Sequence, residues 1–401
     1  MKTSLRIAFC LVIALTSLLP AWGREDAACD TAVYFINIGP GRDIYELDGH
    51  SAVAVVLPDG RGVAYNYGVF DFNAPNFVWR FVKGETDYMA VGVPLDWFLY
   101  SYHGTGRRIE MARLDLDSDR TRELMSILAH DALPENRTYR YNYLYNNCAT
   151  RPLEAVERAL GDSIRLAPAP AEANSALPMT FRNIMRLHHR NYPWYQFGID
   201  LALGSGIDYP LERRHLAFTP VELTGMLRNA EAGGRPLVAE SITYQDEEPE
   251  KATDGPTPWF LTPLAAALAV LFAAMWATRR DLRRRRTTRW FDSALFGFFG
   301  LAGVLLTFLI FVSTHAATSP NWQYVWLNPL CLLPAVCIWI KAAKKVVMCY
   351  FFINFVAVTA LIVAWYWIPQ SGNAAFAPLI GADLLRSACY LYINRKRETK
   401  P

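Results

Sequence analysis

The segment Tyr139-Arg140-Tyr141-Asn142-Tyr143-Leu144-Tyr145-Asn146-Asn147-Cys148-Ala149-Thr150-Arg151-Pro152 decides how this chain is read. The residues that follow it, 153–160, carry apolar side chains at helical spacing, so Cys148 stands at a helix start. Thr150 is the expected N-cap, and Pro152 suits the first turn, where a missing N–H costs nothing. Unsatisfied backbone N–H groups and the positive end of the helix would favour a thiolate over a thiol there. The thiolate is the nucleophilic form of cysteine, and the polar Asn146-Asn147 flank argues against a purely apolar pocket.

A nucleophilic thiol needs a base, and imidazole titrates in the useful range. Among seven histidines, His50 is favoured because Asp48-Gly49-His50 leads directly into the apolar strand 51–57. His103, His130, His188, His189 and His215 lie in polar, Arg-rich or loop-like surroundings, and their spacings resemble no zinc site, so neither a metal nor another cofactor is expected. Residues 62–68 follow the turn Pro58-Asp59-Gly60-Arg61 as the natural hairpin partner of that strand. A two-residue turn puts Tyr67 on the face of His50, whereas a three-residue turn puts Asn66 there. Asn66 is preferred on chemical grounds, because its amide oxygen can accept the imidazole N–H.

Further outward, the chain divides into regions. Residues 1–23 read as a secretory signal: Lys2 and Arg6 precede an apolar stretch at 7–19, and Ala21-Trp22-Gly23 provides a small-x-small cleavage site. An uncleaved anchor is the alternative, although the apolar run is shorter than the roughly 20 residues that span a bilayer. Residues 24–244 mix short strands with amphipathic helices, an α+β pattern, and 245–258 form an acidic, proline-containing linker. That linker reaches less than roughly 50 Å, which keeps the exported domain near the membrane.

Apolar residues make up 52% of the chain, more than a typical soluble protein needs. They concentrate in runs at 259–278, 291–313, 325–340, 346–368 and 374–393, with tryptophans towards their ends, so an all-helical region of five spans is expected over 259–393. The loops at 279–289 and 341–345 and the tail at 394–401 are basic, while 315–323 and 369–375 hold no Lys or Arg. By the positive-inside rule the first domain is then outside and the C-terminus inside. The net charge of +3 reflects these basic loops and gives no reason to expect a nucleic-acid partner. Asp383 and Arg386, three apart in the last run, read as a self-neutralising pair or as a contact for a lipid headgroup.

Of seven cysteines, Cys10 falls in the signal, and Cys331, Cys337, Cys349 and Cys389 lie in or beside apolar runs. Only Cys29 and Cys148 belong to the exported domain, so a disulfide between them competes with a catalytic role for Cys148.

Several ordered blocks together carry a resemblance: Gly49-His50-Ser51; Tyr65-Asn66-Tyr67-Gly68; Phe70-Asp71-Phe72; Asn76-Phe77; Phe81-Val82-Lys83-Gly84; Asn146-Asn147-Cys148-Ala149-Thr150-Arg151-Pro152; Thr180-Phe181-Arg182; and residues 197–204 with Asp208 following. The chain resembles the Lnb family over most of 31–225. The resemblance implies a circularly permuted papain-like (NlpC/P60-type) thiol domain, in which the histidine precedes the cysteine, followed by membrane helices. It implies His50 and Cys148 as the catalytic pair and leaves the third residue, Asn66 or Tyr67, open. It also implies lipoprotein N-acylation, the transfer of a fatty acyl group from a phospholipid to the N-terminal amine of a diacylglyceryl-cysteine lipoprotein in the bacterial inner membrane. Two other expectations compete with it: a cysteine amidase, peptidase or lipid hydrolase using the same dyad, and a non-enzymatic lipoprotein-binding scaffold, for which Cys148→Ser would leave function intact.

Overall fold

The computed structural model describes residues 31–71, 73–161, 164–174 and 179–398. The expected signal segment and Cys29 lie outside the described residues.

Among the described residues ten strands are formed, in chain order β1 (Ala32–Ile38), β2 (His50–Val56), β3 (Gly62–Val69), β4 (Asp87–Pro94), β5 (Ile109–Leu114), β6 (Thr138–Arg140), β7 (Ile164–Arg165), β8 (Glu231–Ala232), β9 (Arg235–Pro236) and β10 (Val238–Gln245). Seven of them make one antiparallel sheet in the order β10-β5-β1-β2-β3-β4-β6, and β7, β8 and β9 make a small second sheet. Side chains alternate across the large sheet as the pleat requires. Val33, Phe35, Val53 and Val55 enter the main core, while Ile36, Ile38, Ala52 and Ala54 enter a smaller one beneath the helix Leu95–Tyr100. The helices Ser118–Asp131 and Thr150–Leu160 close the main core. Leu153 and Val156 of the latter are fully buried, which is worth on the order of 1.5–3 kcal/mol each and fixes the helix that follows Cys148.

The C-terminal region is helical. Pro263–Arg284, Arg289–Phe311, Lys344–Ala364 and Phe376–Glu398 each run roughly 30–35 Å at 1.5 Å per residue. The 23 residues Arg289–Phe311 and the 27 residues Lys341–Trp367 are long and apolar enough by themselves to cross a bilayer. The expected third span, 325–340, is not one continuous helix. It is broken into the turns Trp322–Val325 and Pro329–Cys331 and the short helix Leu332–Cys337, because Pro329 withholds an N–H and holds Asn328 ahead of it extended.

The broken segment still traverses the bundle. Asn321 at its start donates to the carbonyl of Leu201 (2.9 Å) on the N-terminal domain, and the Trp339 indole at its end reaches Ser293 Oγ (3.2 Å), near the far end of Arg289–Phe311. Two glycines make room for it. A Cβ on Gly303 would fall 2.3 Å from the Asn328 carbonyl carbon, and one on Gly300 would fall 2.6 Å from Leu332 Cγ. Small residues of this kind allow backbones in a membrane to approach closely.

Asp383 and Arg386 do not neutralise each other. Arg386 is fully buried and bonds to Asp292 (2.6 Å) and Asp281 (2.6 Å) from two other helices, while Asp383 accepts from Asn354 (2.6 Å) and Ser387 (3.1 Å). Three helices are thereby tied by one buried cation, which leaves its guanidinium engaged within the bundle.

The two regions are joined through polar contacts. Arg182 is buried and bonds to Asp200 (3.1 Å), Asp208 (2.8 Å) and the carbonyls of Leu203 and Gly204. Asp200 also accepts from Arg186 (3.0 Å) and from Asn373 (2.8 Å), which stands just ahead of the last helix. Gly204 and Ser205 donate to Ala317 and Pro320 in the loop after Arg289–Phe311. Residues 246–258 are laid against the N-terminal domain, with Glu248 donating to the Gly106 carbonyl and Asn191 donating to that of Asp254.

Candidate active site

The loop between β2 and β3 is closed by the Leu57 N–H bonding to the Arg61 carbonyl, and Ala52 pairs with Asn66 across the two strands. Three residues therefore make the turn. Asn66 then shares a face with Ala52 and, two residues further back, with His50. The two side chains meet: His50 Nε2 lies 2.7 Å from Asn66 Oδ1. With an amide oxygen as acceptor, His50 carries its hydrogen on Nε2 and leaves Nδ1 free to take a proton. Tyr67 points to the other side, where its buried hydroxyl donates to Asp131 (3.0 Å).

Cys148 is brought to His50 through a gap at Gly68. This glycine has φ +98°, and a Cβ placed on it would lie 3.3 Å from Cys148 Cβ and 3.8 Å from His50 Cε1. A Cβ there would press on Cys148 while only touching His50, and only glycine adopts that φ cheaply. Gly68→Ala is expected to cost about 1–2 kcal/mol of stability from the backbone alone. It should also slow alkylation of Cys148 by iodoacetamide; unchanged alkylation and unfolding temperature would refute the close packing.

The start of the cysteine helix differs from the expectation. Thr150 is not its N-cap. The Asn147 side chain fills that role, accepting from the N–H of Ala149 (2.8 Å) and of Thr150 (3.0 Å), while Asn147 itself is held by the Phe218 carbonyl (2.9 Å). The helix-start N–H groups are therefore occupied and cannot act on the sulfur. The backbone N–H groups of Ser51 and of Cys148 itself face it instead and favour the thiolate. Cys148 is free and half-buried.

Burial pushes the Cys148 thiol up to about 12, with the negative charge of Asp48 adding to the effect and the Arg107 guanidinium opposing it. Burial likewise lowers His50 to about 4, against the hydrogen bond it donates to Asn66. The resting pair at neutral pH is thus thiol and neutral imidazole rather than the thiolate expected from a helix start, because desolvation outweighs the helix end. The alkylation rate of Cys148 should accordingly keep rising with pH through 9. A plateau beginning near pH 6 would reveal a preformed ion pair and contradict this.

A second buried cluster lies next to the sulfur and was not legible in the sequence. Asp48 accepts from the hydroxyl of Tyr143 and from His188 Nδ1 (2.8 Å), and His189 Nε2 stands 3.6 Å away. His188 Nε2 reaches Glu222 Oε1 (3.0 Å). Burial disfavours charge on His188, but its bonds to Asp48 and Glu222 prevail and raise it to about 9, so an imidazolium is clamped between two carboxylates. Burial pushes Asp48 up, yet the bond from His188 and the nearby His189 imidazole hold it well below the usual carboxylate range. Asp48 sits two residues before His50, so this clamp anchors the loop that enters β2. Among the described residues no group of His, Cys, Asp and Glu side chains is arranged to hold a metal.

The arrangement can support nucleophilic chemistry: a thiol, a neutral base with one free nitrogen, an amide that orients the base, and two backbone donors at the sulfur. The Lnb N-terminal periplasmic domain model matches residues 19–186, and the Lnb transmembrane domain model matches residues 256–398, together more than three quarters of the chain. No curated protein and no solved structure matches it. With both regions matched in chain order, a periplasmic domain of mixed sheet and helix ahead of a helical transmembrane domain, the protein belongs to the Lnb family.

Proposed function

We propose that the protein is a membrane-bound lipoprotein N-acyltransferase, with Cys148 as nucleophile, His50 as general base and acid, and Asn66 orienting the imidazole. The observation that carries this reading is the meeting of Cys148, Gly68 and the Asn66-bonded His50 in a domain attached to membrane helices. The order of a histidine strand before a cysteine helix supports a circularly permuted papain-like (NlpC/P60-type) arrangement.

In the first half-reaction His50 Nδ1 takes the thiol proton as the sulfur attacks the ester carbonyl of a phospholipid. A C–S bond forms, the ester C–O bond breaks, and His50 returns the proton to the departing lysophospholipid hydroxyl. In the second, the N-terminal amine of a diacylglyceryl-cysteine lipoprotein attacks the thioester. A C–N bond forms, the C–S bond breaks, and the amine proton returns through His50 to the sulfur. The oxyanion in both steps is assigned to the N–H groups of Ser51 and Cys148, which act on the sulfur in the resting site, and such a donor is worth about 10²–10³ in rate in other acyl-transfer sites. Water must be kept out, since it would hydrolyse the thioester.

The domain lies in the periplasm at the inner membrane, and the basic tail at 394–401 lies in the cytoplasm. Incubating the purified chain with phospholipid and no acceptor should add one acyl mass to the Cys148 peptide, removable by neutral hydroxylamine. Rapid release of free fatty acid with no trapped thioester would favour the lipid-hydrolase reading instead.

A further inference from the structure

Between Cys148 and the membrane bundle the aromatic side chains form one unbroken row. Tyr141 stacks on Tyr88 with centroids 4.1 Å apart, Tyr88 lies 4.8 Å from Phe70, Phe70 stacks on Phe77 at 5.6 Å, and Phe77 on Phe81 at 6.3 Å. At the inner end, Tyr88 and Tyr141 both stand within electrostatic reach of the Cys148 sulfur.

At the outer end, the helix Phe77–Lys83 is fastened to the bundle. Trp79 packs on Phe308 of the span Arg289–Phe311 at 5.0 Å. The end of the helix is bonded from the loop after that span: the Thr314 N–H donates to the Lys83 carbonyl (2.8 Å), and His315 Nε2 to that of Phe81 (3.0 Å).

Exposure rises along the row, from 8% at Tyr88 through half-buried Phe70 and Phe77 to 50% at Phe81. A closed core would bury all of these rings. The two cations of the helix are already paired, Arg80 with Asp87 (2.7 Å) and Lys83 with Glu85 (2.7 Å), so the row calls for an apolar occupant rather than an anion. Its outer end meets a membrane span and its inner end meets a thiol, and a hydrocarbon chain leaving the bilayer is the occupant that connects them.

We infer that the row Phe81, Phe77, Phe70 is an acyl-chain site, along which one fatty acyl chain of a membrane phospholipid lies with its ester carbonyl at Cys148. This rests on the acyl-transfer reading above for what happens at the sulfur, but binding of the chain does not require the chemistry.

The test uses the full-length Cys148→Ala protein in nanodiscs that contain a phospholipid with a photoactivatable diazirine in one acyl chain, with adducts mapped by mass spectrometry. Adducts are expected on the peptides bearing Phe70, Phe77 and Phe81. Phe81→Glu should reduce them about tenfold by placing a charge in the path of the chain. Phe81→Leu should restore them, and Val78→Ala, on the same helix but off the row, should keep them. Adducts confined to the outward faces of the spans, or adducts unaffected by Phe81→Glu, would overturn the inference. Row adducts in a protein whose native form never acquires a thioester would uphold the chain site and defeat acyl transfer. A thioester formed without row adducts would do the reverse.

Discussion

Cys148→Ala is expected to abolish acylation of the enzyme and transfer to an acceptor, and His50→Ala to lower both by about 10²–10⁴-fold. The cysteine effect is total because no other free cysteine stands near a base: among the described residues the others, Cys331, Cys337, Cys349 and Cys389, all lie in the helical region. The histidine effect is large because the thiol, held near 12 by burial, is protonated at working pH and reacts only as its proton leaves. Asn66→Ala should give a smaller loss, since it frees the imidazole to turn without removing it. The measurement is single-turnover acyl-enzyme formation, and a His50→Ala protein acylated at the native rate would remove His50 from the mechanism.

Arg182→Ala should destabilise the protein by about 3–5 kcal/mol, the usual consequence of leaving a buried carboxylate, here Asp208, without its cation. Asp200 and Asp208 are as buried as the arginine between them, and two backbone carbonyls, of Leu203 and Gly204, would lose a donor as well. The loss is not local. Asp200 also receives Arg186 and Asn373, so the periplasmic domain would loosen from the last membrane helix. Thermal unfolding in detergent should show the drop, and Asp208→Asn added to Arg182→Ala should recover part of it, because one stranded charge is removed. A single variant with an unchanged unfolding temperature would show that this cluster carries no load.

Much of this architecture was legible in the sequence because it rests on local periodicity. The apolar strand after His50 and the turn before residue 62 define a hairpin whatever the rest of the chain does, and turn length alone decides that Asn66 rather than Tyr67 faces the imidazole. At 325–340 hydropathy counts apolar residues without regard to Pro329, which interrupts the helix while leaving the segment in the bundle. Spacing on one helix also misled at Asp383 and Arg386. The true partners of Arg386, Asp281 and Asp292, come from other helices, and no local pattern reports them. His188 and His189 were set aside for their polar neighbours, yet the fold carries them to Asp48, 140 residues away in the chain from His188. The helix-start argument for a thiolate fails because burial of Cys148 outweighs the helix end, and because Asn147 takes the N–H groups of Ala149 and Thr150. Gly68 did carry a readable signal: a glycine between aromatic strand residues marks a close approach, here by Cys148.

The most direct test of the central proposal follows the acyl group itself. Purified protein is incubated with a phospholipid labelled in one acyl chain and a diacylated lipoprotein whose N-terminal amine is free. The account predicts amide-linked label on the lipoprotein amine, with lysophospholipid formed in equal amount and no transfer by the Cys148→Ala protein. Label recovered only as free fatty acid, or amide-linked label that persists in Cys148→Ala, would contradict it.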